Sequence, residues 1–255
     1  MLATKVLVGV LAGILALAGG GYASFRVWRH VENSQPRPAP SAAVVLGAPT
    51  AQPTAALAPT PLPPSVFVKV PYTPQSPYNQ WGAGNPHEEY CEAAALLMVG
   101  DYFKGDGRGL IPPAEADAAM AQIVAVERQS YPGVLDLPLT DIGAVGTRLY
   151  GLQPAVTQVD LDQVEHSLAA GRPVIIPVMT HGVGGQKISP YYGAVNVYHV
   201  IVLTGYDNAK GVLYANDAGF VQGQNYVYTW ATLSAAIDAQ AQRYPQGRVM
   251  LVFHS

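Results

Sequence analysis

The sequence predicts an α+β fold, on three observations. After residue 65 the helical patterns come first, the strand patterns follow them, and the strands read as mostly antiparallel. Two unlike halves then face one another, each covering the apolar side of the other.

Each element has its own warrant. "VFVKV" (66–70) alternates like a short strand, and "PYTPQSPYNQWGAGNP" after it is too rich in turn residues to be helical. From Tyr90 to Phe103 a 3.6-residue period puts Cys91, Ala94, Ala95, Met98, Val99 and Tyr102 on one stripe, so a helix opens at Cys91. "PPAEADAAMAQIVAVERQ" (112–129) starts with proline and acids and ends in arginine, the polarity that a helix dipole favours. "LTDIGAVGTRLYG" and "LDQVEHSLAAG" are two further helices, each closing on a glycine suited to a left-handed cap. Strands are expected at 173–179, 197–206, 211–217, 225–230 and 247–253, with a short helix near "LSAAIDAQAQ".

Composition divides the chain before that domain. Residues 1–30 hold an apolar or glycine run from Val6 to Tyr22 between Lys5 and Arg26 and Arg29, which reads as a signal peptide or a membrane anchor. Ala16-Leu17-Ala18 suits cleavage, whereas the length and the basic far flank favour an uncleaved anchor. Either way the chain is expected to leave the cytoplasm, as a single-pass membrane protein with an extracytoplasmic domain or as a secreted one. Residues 31–65 are rich in Pro, Ala and Thr and read as an extended linker; residues 66–255 form one domain. A net charge of −3 supplies no basic field for nucleic acid, and six histidines with one cysteine show no structural zinc spacing. Neither metal nor cofactor is expected.

Cys91 is the single cysteine, so it is either a small apolar core residue or a reagent. At a helix start the free N–H groups and the dipole favour the thiolate. Glu92 beside it reads as a residue that complements the same dipole. A nucleophilic thiol needs a base, and the base an orienting acceptor. His199 shares a strand face with Val197, Ile201 and Leu203, and a hairpin centred on Asn208 would set Asp217 directly opposite it. Gln75 and Gln80 are both near enough in sequence to supply an oxyanion donor. "GVGGQK" (182–187) lacks the GK[ST] of a phosphate loop and reads as a mobile segment, with Tyr191 and Tyr192 beyond it able to close over a bound chain. His87 and His181 are weaker candidates for the base.

"VPYTPQSPYNQW", "CEAAALLM", "HVIVLTGYD" and "NDAG" resemble blocks of the peptidase C39-like group of papain-like cysteine proteases, in the same order. The resemblance runs from Val70 to Trp230. It implies a papain-like fold, Cys91 as nucleophile, His199 as general base, Asp217 as its orienting residue, and Gln75 at the oxyanion hole. Where such proteins usually have proline after the aspartate this chain has Ala218, which leaves that loop less rigid. The expected activity is amide hydrolysis of a peptide or protein through a thioester. The alternatives are a peptide-binding module on the same scaffold and an acyl transferase sharing the thioester.

Overall fold

The structure is a computed structural model that describes residues 44–46, 61–82 and 84–255. The apolar run at 6–22 lies outside them; among the described residues no helix is long and apolar enough to cross a membrane.

The chain follows the expected order. After strands β1 (Val44–Leu46) and β2 (Ser65–Val68) come helices α1 (Cys91–Phe103), α2 (Pro113–Ser130) and α3 (Leu139–Tyr150). β3 (Gln153–Gln158) and α4 (Leu161–Ala169) lead into β4 (Val174–Met179), β5 (Tyr198–Asp207), β6 (Val212–Asn216) and β7 (Tyr226–Tyr228). α5 (Trp230–Ala241) and β8 (Val249–His254) complete it. The strands form one sheet in the order β1-β2-β5-β4-β8-β3, and β6 joins β5 to β7. All pairings are antiparallel except β1 with β2, a short parallel addition made by three residues of the proline-rich segment.

Three details differ from expectation. β3, "QPAVTQ", lacks an apolar face because it is an edge strand, held by full pairing to β8. α5 begins at Trp230, three residues early, because the Thr229 hydroxyl accepts from the Thr232 N–H and caps the helix there. α1 has no exposed side at all: it packs on α2, α3 and β5, and every residue from Cys91 to Tyr102 is buried. A helix apolar all round belongs inside a core, so its acids must be accommodated there. The left-handed closure of α3 on Gly151 (φ 69°) is as expected.

Candidate active site

β5 is buried along its whole length and carries His199 inward. The imidazole Nε2 meets Asp217 Oδ1 at 2.8 Å, which leaves Nδ1 as the nitrogen for another partner. Asp217 is fully buried and collects donors from several directions. Tyr192 Oη donates to Oδ1 at 2.7 Å and lies 2.9 Å from Oδ2; Tyr228 Oη donates to Oδ2 at 2.6 Å, and the Gly219 N–H to Oδ1 at 2.9 Å. Burial pushes this carboxyl's pKa up, but His199 and the two phenols outweigh it and bring the pKa below the ordinary aspartate value. The carboxylate is therefore ionised and aimed. Tyr228→Phe should cost roughly 1.5–3 kcal/mol, the usual worth of a hydrogen bond to a charged group, read as a lower urea midpoint with unchanged slope.

The two residues meet by a route other than the simple hairpin. Asp207 pairs with Val212, not with a residue set by a turn on Asn208, and a β-bulge between Leu203 and Gly205 then shifts the register. Before the bulge Gly205 faces Tyr214; after it Leu203 faces Ala215 and Val202 faces Asn216. Continued without the bulge, the ladder would align Asp217 with Val202, on the side of the sheet away from His199. With it, Asp217 continues opposite Ile201, on the same side as His199, and the pair meets diagonally.

The loop after Asp217 has no need of proline. The Asp217 N–H donates to the Gly223 carbonyl (2.9 Å), the Gln75 N–H to the Ala218 carbonyl (2.9 Å), and Tyr72 Oη contacts the carbonyls of Asp217 (3.0 Å) and Phe220. Gly223 is required for this, since a Cβ there would overlap the Asp217 carbonyl. The expected looseness at Ala218 is thus removed by tertiary contacts.

Cys91 is the first residue of α1, and its Sγ approaches the backbone N–H of Val200, the residue after His199. The thiol hydrogen bond runs to Glu92 Oε2 at 2.9 Å, not to His199. Glu92 is 2% exposed, and its Oε1 accepts from the Leu137 N–H at 3.1 Å. The helix start does not lower the thiol pKa as the sequence alone suggests. Burial first, then the Glu92 carboxyl, push it well above the ordinary value, and the Val200 N–H opposes them only in part. Burial also raises Glu92 to about 8, with Glu127 on α2 adding to the shift.

Of the remaining candidates, Gln75 sits beside the approach to Cys91 and the others fall elsewhere. Gln75 Nε2 donates to the carbonyls of His87 (2.8 Å) and Glu88 (3.0 Å) in the 3₁₀ turn Pro86–Glu89 that delivers the chain to Cys91, and its buried Oε1 has no partner. Gln80 is exposed; Trp81 is buried and donates to Asn79. His87 bridges Asn85 and Asp117, and His181 pairs its backbone with Lys187 and Asn196. Tyr191 and Tyr192 do not form an exposed flap. Tyr191 stacks on Phe220 (4.6 Å between centroids), and Tyr192 is buried on Asp217. The sequence gives Tyr228 no role and reads Glu92 as a complement to the helix dipole; the signal for its burial was the absence of a polar face around it.

Beside the site lies a cavity of about 360 Å³ lined by Glu88, Glu89, Asp136, Tyr198 and Arg243 among others. Burial, with Asp136 and Glu88 nearby, raises the pKa of Glu89, so negative charge is crowded there. The lining includes residues just before Cys91 and just before His199.

A family model described as the Peptidase_C39 like family matches residues 67–245. Among solved structures, a protein described as a C39-like peptidase from Bacillus anthracis is similar at 14% identity and TM-score 0.46, over 75% of this chain and 98% of that one. Xylellain, a cysteine protease from Xylella fastidiosa, is similar at 14% identity and TM-score 0.33, over 86% of this chain and 98% of that one. No curated protein matches the chain.

Proposed function

The chain belongs to the peptidase C39-like family, and on that footing we propose that it is an exported, membrane-tethered cysteine peptidase acting on peptides or proteins. The observation that carries the reading is the buried His199–Asp217 pair, whose bond through Nε2 leaves Nδ1 for another partner, on the strand whose next N–H meets the Cys91 sulfur. A binder has no use for an oriented, desolvated imidazole at that point. In this reading the thiol proton, which rests toward Glu92, passes to His199 Nδ1, and the sulfur attacks the scissile carbonyl carbon. The C–N bond breaks, the amine departs with the imidazolium proton, and water hydrolyses the thioester with His199 again as base. The Cys91 N–H, unpaired within α1 as a first-turn donor, holds the oxyanion. Gln75 adds the second donor by exchanging one carbonyl contact for the anion. The segment 1–30 tethers the domain, and the residues between it and β1 set the domain away from the bilayer.

A peptide-based thiol probe tests the assignment on the full chain. Wild-type protein should label at Cys91 alone, Cys91→Ser not at all, and His199→Ala about 10³-fold or more slowly. The second reading, a peptide-binding module, draws on the thiol's bond to Glu92. Labelling no faster than free cysteine, and indifferent to His199→Ala, would decide for it.

A further inference from the structure

Glu92 is placed where a bystander would not be. Its Oε2 lies 2.9 Å from Sγ, its Oε1 is fixed on the Leu137 N–H, and the helix that carries it is buried on every side. The titratable groups facing it, besides the thiol, are acids and phenols: Glu127 from α2, Tyr198 from β5 and Tyr244 after α5, while Asp136 from the turn before α3 acts on the neighbouring Cys91. A carboxylate in that setting has hydrogen-bond donors but no counter-charge, whereas a neutral acid has one O–H and one atom in line to receive it, the sulfur.

We propose that Glu92 is a catalytic residue: as a neutral acid it donates its O–H to the sulfur and carries the thiolate during attack, and as a carboxylate it keeps the sulfur protonated. No atom is gained or lost in this step. The thiol proton goes to His199 Nδ1 while the Glu92 O–H turns along the same Sγ–Oε2 line. The nucleophile is then available only while Glu92 is protonated, an assignment that rests on Cys91 being the nucleophile. Its elevated pKa accords with this and places the loss of reactivity above about 8.

The test is the alkylation rate of Cys91 by iodoacetamide against pH, in the full chain. Wild-type protein should show a rise and then a break near pH 8, before free thiolate takes over. Glu92→Gln, which donates through N–H and cannot ionise, should remove the break and react about tenfold faster than wild type above it. Glu92→Ala should lose reactivity at neutral pH. A Glu92→Gln profile that overlays wild type overturns the proposal. His199→Ala in parallel separates the two readings: a profile sensitive to Glu92 but indifferent to His199 keeps Glu92's control of the sulfur and removes both the proton transfer to His199 and the peptidase. Should the variants not fold, infrared spectra of wild type before and after alkylation decide. The protonated carboxyl band should shift when the sulfur is capped, and no shift counts against Glu92.

Discussion

Asp217→Ala should slow acylation of Cys91 by about 10⁴-fold and lower stability by about 3–5 kcal/mol at once, the largest combined effect of any single change at the site. The stability loss follows from what the carboxylate receives. Removing it strands His199 Nε2, the hydroxyls of Tyr192 and Tyr228 and the Gly219 N–H in a fully buried space, where each unmet donor carries its own desolvation cost. The rate loss follows from the imidazole. Without an acceptor at Nε2, the tautomer with a free Nδ1 is no longer favoured and the imidazolium formed after proton transfer has no counter-charge. Asp217→Asn should recover part of both effects. Its carbonyl can occupy the Oδ1 position and keep three donors, while the amide meets Tyr228 as a rotated acceptor. Probe labelling and urea unfolding on the same three proteins check this. Equal damage from Ala and Asn would mean that the negative charge matters and the hydrogen-bond pattern does not.

The second large effect is a loss of stability on raising the pH from about 5 to 9. Glu92 is raised from 4.5 to about 8 and Glu127 to about 7, burial being the leading cause for both, so the folded protein binds protons that the unfolded chain releases. For a group raised on folding, the contribution is complete below the unfolded pKa and disappears as pH climbs through the folded one. Glu92 alone accounts for about 4–5 kcal/mol across that window, at about 1.4 kcal/mol per unit. Asp217 acts in the opposite sense, since its lowered pKa removes stability only on strong acidification. The optimum should therefore sit on the acid side of neutrality. Urea midpoints at pH 5, 7 and 9 would show the decline, and Glu92→Gln should flatten most of it. A flat profile in wild type would mean that water reaches Glu92.

Much of the architecture was readable because it rests on periodicity. The helices at 113–130, 139–150 and 161–169 and the central strands carry patterns set by which side faces the core, and these agree with the structure to within a few residues. β3 was not readable, because "QPAVTQ" owes its strand to the β8 edge and to nothing in its own sequence. At the site, His199 and Asp217 were legible as an inward histidine with a carboxylate on the following strand. The register between them was not: Gly205, the glycine inside the strand, marks where an irregularity can sit, but not that Thr204 is an extra residue there. For Glu92 the sequence located the helix start correctly but misjudged its surroundings. Dipole arguments assume a terminus in water, and here burial outweighs the dipole. Of the tyrosines that hold Asp217, Tyr192 comes from a loop before β5 and Tyr228 from a three-residue strand paired with β6, too short to carry a pattern of its own.

The extra residue at Thr204 makes residue counting a chemical matter. Along the arms of the β5–β6 ribbon, loss or gain of one amino acid changes odd to even and turns the acid away from its base, with every other strand intact. At the tip, from Asn208 to Gly211, the same edit alters only the connection. Tolerance of length changes in this ribbon should therefore alternate sharply over a few positions, and a scan of single deletions scored for labelling and for expression would trace that alternation.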